Sequence, residues 1–179
     1  MNIILCGFKN CGKSTVGAML AKTLHFHFDD TDTLLEEYYR QENNELLGAA
    51  EIYTQHGQDI FRKLESSIIQ ALVKKDKRVI ALGGGSVLNP TNVAHLHTIG
   101  KIIYLRASLA LLKERMIASR IPAFINPHEV DASFEKIHEQ RYKIYEGIAD
   151  FIIDVDGKKT QAIVMEIRNA IPLSINETN

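Results

Sequence analysis

Only two cysteines occur, Cys6 and Cys11, too few and too oddly spaced for a disulfide framework or a zinc site. Cys6 reads as a buried strand residue. Cys11 lies in a loop where a helix N-terminus and nearby cations favour thiolate, yet a plain filler role suffices for it. Neither sign of charge dominates: the formal net charge is -1. The chain therefore has no general attraction for nucleic acid or an anionic membrane, and any anion site must be local. No apolar run approaches the roughly 20 residues that a membrane helix needs. The N-terminus opens on strand-like residues with no basic n-region and apolar h-region, so a cytoplasmic location is expected. Repeats, low-complexity tracts and Pro/Gly/Ser linkers are also missing. With 179 residues, 45% hydrophobic and 24% charged, the chain reads as one globular domain over residues 1–173, with a polar tail at 174–179 expected to fray.

What is present is concentrated at the start. Gly7 to Thr15 reads GFKNCGKST and fits G-x-x-x-x-G-K-[ST] with Gly7, Gly12, Lys13 and Ser14. The apolar run Ile3-Ile4-Leu5-Cys6 precedes it, and helical spacing resumes at Val16, Met19, Leu20 and Leu24. That is the setting of a phosphate-cradling loop between a buried parallel strand and a helix. Glycines let backbone N–H groups converge on anionic oxygens, and the start of the helix adds a positive end. Lys13 would reach the terminal phosphates, and Ser14 would offer its hydroxyl to Mg²⁺.

Strands then alternate with helices. Phe26 to Phe28 reads as a second strand running into Asp29-Asp30-Thr31-Asp32, where Thr31 or Asp32 can cap the next helix. A helical pattern covers about Ala49 to Lys75 with a break near Gly57, and Arg78 to Leu82 is a third strand that ends in Gly83-Gly84-Gly85. A helix begins at Asn89-Pro90, a fourth strand spans Lys101 to Leu105, and Ser108 caps a helix to about Met116. A longer helix runs from about Ser133 to Tyr145, Phe151 to Asp154 is a fifth strand, and a last helix reaches about Ala170. Alternation of this kind implies an α/β fold with a parallel sheet covered on both faces. Ligands bind such sheets beyond the carboxyl ends of the strands, so the phosphate loop, the aspartates and the glycines should open onto one crevice.

Asp30 and Asp32, one residue apart, point the same way in an extended chain. One could hold Mg²⁺ through water and the other fix an acceptor hydroxyl or take its proton; alternatively Asp32 only caps a helix, and Asp29 leaves the register open by one position. Three successive glycines leave backbone N–H groups bare, so that a polar ligand can lie against the main chain. Arg62 and Arg141 sit among apolar residues of helical segments, and a guanidinium suits bidentate pairing with a carboxylate. Taken singly, each arginine is better explained by an ordinary ion pair or a solvated side chain.

The phosphate loop, Asp30-Thr31-Asp32, Phe61-Arg62-Lys63-Leu64-Glu65, Gly83-Gly84-Gly85 and Arg141 stand in the order, and close to the spacing, of the shikimate kinases. The resemblance runs from about Met1 to Asp154. It implies ATP-dependent, Mg²⁺-requiring phosphorylation of the 3-hydroxyl of shikimate, on the route to chorismate and aromatic amino acids. It further implies a three-layer P-loop NTPase fold in the nucleoside monophosphate kinase style, with a five-stranded parallel sheet of order 2-3-1-4-5 and a mobile lid at about residues 117–130. By resemblance, Gly7, Asn10, Cys11, Gly12, Lys13, Ser14 and Thr15 bind the nucleotide phosphates, with Lys13 the phosphate-binding lysine and Ser14 a Mg²⁺ ligand. Asp30 holds the metal's water shell. Asp32 binds the acceptor hydroxyls and acts as a candidate base. Arg62 and Arg141 pair with the substrate carboxylate, Gly83, Gly84 and Gly85 line its ring, and Arg115 lies beside the adenine. The lid departs from the family pattern of Arg-Pro: here one residue separates them in Ser119-Arg120-Ile121-Pro122, and Arg120 is the candidate for the arginine that approaches the transferring phosphate. A monomer with one small-molecule partner, shikimate, is expected.

Rival readings are weaker. A gluconate kinase shares the loop, but the paired arginines and triple glycine favour shikimate. A GTP switch would need a guanine-reading Asn-Lys-x-Asp, which the sequence lacks, and Asp154-Val155-Asp156-Gly157 follows the last strand. A non-catalytic nucleotide-binding regulator stays open on account of the lid. His25-x-His27 and His95-x-His97 have no companion ligands that would complete a metal site.

Overall fold

The computed structural model describes residues 1–118 and 130–171. Arg120, most of the 117–130 lid segment and the 174–179 tail lie outside the described residues. The chain runs β1 (Asn2–Cys6), α1 (Lys13–Leu24), β2 (His27–Asp30), α2 (Thr31–Asn43), α3 (Ala49–Leu72), β3 (Arg78–Ala81), a 3₁₀ turn (Ser86–Leu88), α4 (Pro90–Ile99), β4 (Gly100–Arg106), α5 (Leu109–Ile117), α6 (Val130–Ile148), β5 (Phe151–Asp154) and α7 (Thr160–Ala170). The five strands form one sheet in the order β2-β3-β1-β4-β5, every pair parallel. This is the expected P-loop order.

Every residue of β1 is buried. Since successive side chains point to opposite faces, helices must cover both sides of the sheet, and α1 packs against α7 while α3 packs against α2 and α4. Ile3, Ile4 and Leu5 are fully enclosed, each worth about 1.5–3 kcal/mol of burial. The sequence order reverses on either side of β1, which lies between β3 and β4. The crevice beyond such a switch point is where an open parallel sheet receives its ligand.

Element boundaries differ from the sequence reading at several points. Strand β2 covers His27–Asp30 rather than Phe26 to Phe28, because its ladder with β3 runs from His27↔Arg78 to Asp30↔Ala81. It tolerates a buried carboxylate because Arg78 Nη1 lies 2.8 Å from both oxygens of Asp29. That settles the register: Asp29 faces Arg78, and Asp30 faces the crevice with the phosphate loop. Helix α6 is longer than Ser133 to Tyr145, since Val130 and Ile148 at its ends still pack on the core. The break at Gly57 (φ 79, ψ 174) divides α3 into 49–56 and 58–72.

Asp29 turns away from the crevice and, among the described residues, has Arg78 as its counter-ion, whose Nε is buried and has no hydrogen-bond partner there. Replacing it therefore tests structure without touching chemistry. Asp29→Asn is expected to lower unfolding stability in urea by about 2 kcal/mol and to leave turnover unchanged.

Candidate active site

The phosphate loop is shaped by its ends. Gly7 has φ 144, and a Cβ there would lie 2.7 Å from the Leu105 carbonyl oxygen, so no other residue fits beneath the loop. The Cys11 N–H donates to the Phe8 carbonyl at 3.2 Å, and the Val16 N–H donates to Gly12 at 2.9 Å as α1 begins. No described side chain caps α1 at Gly12, so the N–H groups of its first turn are left for a ligand. Lys13 is buried, with Nζ donating to the carbonyls of Gly7 at 3.0 Å and Phe8 at 2.9 Å. Arg115 of α5 reaches across to donate to the Asn10 carbonyl at 3.0 Å and so braces the loop from outside.

At the end of β2, the Ser14 hydroxyl donates to Asp30 Oδ2 at 2.6 Å. Asp30, rather than Thr31 or Asp32, caps α2: its Oδ1 accepts from the Asp32 N–H at 3.0 Å. The strand runs further than expected, which moves the cap back and releases the Asp32 carboxylate from any capping role. Asp32 is partly buried, and its carboxyl is pushed up to about 6. Burial is the main cause and the Asp30 and Glu65 charges add to it, while Lys13 and Lys9 pull the other way.

The third wall is the glycine run after β3. The Gly83 N–H is not bare as expected but donates to Thr31 Oγ1 at 2.8 Å. The glycines serve another purpose, close approach by side chains. A Cβ on Gly83 would stand 2.6 Å from Asp32 Oδ1 and 2.9 Å from Glu65 Oε1, and one on Gly85 would overlap the Arg62 guanidinium at 2.2 Å. Arg62 pairs with Glu65 one helical turn along α3, and buried Glu65 accepts from Ser86 Oγ at 2.8 Å. Arg141 of α6 is buried, stacks over Phe8 at 5.7 Å and hydrogen-bonds Tyr145. The Tyr145 hydroxyl in turn donates to the Gly84 carbonyl at 2.5 Å. Burial lowers the pKa of Arg141, and proximity to Arg62 lowers it further. Two cations thus face one space.

That space is a single cavity of about 610 Å³, lined by Asn10, Gly12, Lys13, Ser14 and Thr15 on one flank and by Asp32, Arg62, Gly84, Gly85 and Arg141 on the other. Cys11, Asp30, Gly83 and Arg115 also line it. Gly7 does not, and lies beneath the loop. Sequence reasoning missed Lys9, Tyr53, Lys158 and Thr160 as lining residues, and missed Glu65 as the partner of Arg62. Glu65 was findable, since it falls at i+3 from Arg62 on a helix; Lys158 and Thr160 arrive from the far end of the chain and carried no local signal.

The class follows from fold and cavity taken together: a small-molecule kinase of the P-loop type. The family model for shikimate kinase matches residues 9–172. The shikimate kinase of Caldanaerobacter subterraneus subsp. tengcongensis is 35% identical over 94% of this chain and 95% of its own length. That of Rippkaea orientalis is 36% identical over 98% and 90%. Among solved structures, shikimate kinase from Aquifex aeolicus superposes with a TM-score of 0.74 at 30% identity, covering 94% of each chain. The fold also matches shikimate kinase from Acinetobacter baumannii in complex with shikimate, with a TM-score of 0.84 at 23% identity over 94% of this chain and 90% of that one. The chain belongs to the shikimate kinase family, whose members use ATP and Mg²⁺. No described helix is long and apolar enough to cross a membrane.

The site fits those two groups. No cluster of three His, Cys, Asp or Glu side chains occurs among the described residues, so a closed protein cage for a metal is not available there. The adjoining Ser14 and Asp30 oxygens instead suit a hard cation that keeps waters and takes phosphate oxygens, as Mg²⁺ does.

The raised pKa of Asp32 has a stability consequence with a definite sign. The folded protein binds a proton there more tightly than the unfolded chain, whose carboxyl titrates near 3.8. Its contribution is complete below that value and lost as pH rises through about 6. In metal-free buffer, Asp32→Asn is therefore expected to gain stability relative to the native protein as pH rises from about 4 to about 7, by on the order of 2–3 kcal/mol. Unfolding curves at several pH values check this, and a difference that does not vary with pH contradicts it.

Proposed function

We propose that this chain transfers the γ-phosphoryl group of ATP to the 3-hydroxyl of shikimate, and that Arg62 and Arg141 hold the carboxylate of the acceptor. The observation carrying this reading is the single cavity with a phosphate loop on one flank and two arginines on the other. An organic acid seated on the arginines leaves its ring against Gly84 and Gly85 and a hydroxyl near Asp32. Holding donor and acceptor in that alignment is most of what phosphoryl transfer asks of a protein.

The acceptor oxygen forms a bond to Pγ as the bond from Pγ to the bridging oxygen breaks, and the bridging oxygen leaves with the electron pair on ADP. The hydroxyl proton passes to the Asp32 carboxylate. A carboxyl near 6 is ionised at neutral pH and still more basic than an ordinary aspartate, which suits a general base. Lys13 and the first turn of α1 hold the donor phosphates. Ser14, and Asp30 through water, would hold Mg²⁺, which would supply positive charge to the donor phosphates. Glu65 fixes the plane of the Arg62 guanidinium, and the Tyr145 link to Gly84 ties Arg141 to the glycine wall. Arg120 remains the candidate for a cation brought by the lid segment. The chain acts as a monomer in this reading.

A coupled ADP-release assay with shikimate, gluconate and no acceptor tests the assignment: turnover is expected with shikimate alone, and equal rates without acceptor overturn it. Lys13→Ala is expected to reduce turnover by at least about 100-fold. Arg62→Lys replaces a planar fork with a point charge, so the KM for shikimate should rise about tenfold, equivalent to about 1.4 kcal/mol, while the KM for ATP holds. An unchanged shikimate KM removes Arg62 from the carboxylate seat.

A further inference from the structure

The phosphate loop carries a second lysine that the reaction steps above leave unused. Lys9, two residues after Gly7, is exposed and lines the cavity. Its position is unlike that of Lys13. Lys13 is tucked beneath the loop on the Gly7 and Phe8 carbonyls, whereas Lys9 lies at the seam between the donor and acceptor flanks. Its backbone nitrogen is 3.5 Å from where a Cβ on Gly84 would stand, so the loop touches the acceptor wall at this residue. The Lys9 ammonium makes no hydrogen bond or ion pair with another described residue. Its charge is nonetheless felt at Asp32, where Lys9 and Lys13 are the two cations opposing Asp30 and Glu65.

We propose that Lys9 is a further catalytic residue whose ammonium contacts the γ-phosphoryl oxygens of bound ATP and stays with that group as it crosses to the acceptor. The inference rests on the kinase reading above. As the new O–Pγ bond forms and the bond to the bridging oxygen breaks, charge spreads over the three oxygens of the group in transit. A cation within reach of those oxygens stabilises that arrangement more than the ground state. The compact charge and flexible four-carbon stem of lysine suit a target that moves. Lys9 neither gains nor loses a proton; the hydroxyl proton goes to Asp32 and the electron pair to ADP.

Two measurements test the contact. In the native protein, acylation of lysines by an amine-reactive reagent is followed by peptide mass spectrometry with Mg²⁺ and either ADP or the non-hydrolysable imido analogue of ATP. Lys9 should be protected several-fold more by the triphosphate analogue than by ADP; equal labelling in the two complexes overturns the proposal. In steady-state kinetics, Lys9→Met should lower kcat about tenfold or more with little change in ADP affinity, and Lys9→Arg should recover most of it. A Lys9→Met enzyme with native kcat, or one whose ADP affinity falls by as much as its kcat, overturns it as well. Native protein that turns over no shikimate at all fails the kinase reading, and so separates that failure from failure of the Lys9 assignment.

Discussion

Two guanidinium groups brought close together on one wall of a cavity are the constraint on which the rest of this molecule depends. Arg62 comes from α3 and Arg141 from α6, helices separated by two strands in sequence, and the proximity of Arg62 raises the cost of charging the buried Arg141. The fold tolerates this because each is braced. Glu65 neutralises Arg62 in part and is itself held by Ser86, while Arg141 lies over Phe8 and is tied through Tyr145 to the Gly84 carbonyl. The residual positive charge is what an organic anion can satisfy. The glycines at 83 and 85 exist to let these side chains in, since a methyl group at either would collide with Asp32, Glu65 or Arg62.

Opposite this wall, the sheet order does the positioning. Because β1 lies between β3 and β4, the phosphate loop that follows it opens at the switch point, and the ends of β2 and β3 bring Asp30 and Gly83 alongside. Ser14 and Asp30 are then joined by a hydrogen bond, and Asp32 stands between the donor flank and the arginine wall. The carboxylates compete for the same field: Asp30 and Glu65 both raise Asp32, and burial raises it most. One short stretch of chain thereby yields two aspartates in different settings, one joined to the Ser14 hydroxyl and one more basic than usual. Environment, and not residue type, divides them.

Much of this was legible in the sequence because local pattern and global arrangement agree. The apolar run Ile3 to Cys6 and the glycine-lysine loop after it identify the strand, turn and helix without ambiguity, and Asn89, Ser108 and Gly57 mark a helix start, a cap and a kink at the positions where the structure has them. Strand β2 was less legible, since its carboxylates look like a loop until Arg78 is seen across the ladder, and that error carried the helix cap with it to Thr31 or Asp32. The bracing of the arginines was hidden for a different reason. Tyr145 and Gly84 are 61 residues apart, and nothing local to either announces a hydrogen bond that only the packing of α6 near the glycine turn creates. Lys158 and Thr160 enter the cavity from beyond the last strand on the same account.

The central claim, that charge on the acceptor is what the arginine wall reads, is tested most directly by calorimetric binding of shikimate and of its neutral carboxamide to the native protein. The amide cannot form the two charge-assisted hydrogen-bonded pairs, so it should bind about 100-fold or more weakly, equivalent to about 2.7 kcal/mol. Acid and amide binding with equal affinity would contradict the account, because the two guanidinium groups would then be serving the fold alone.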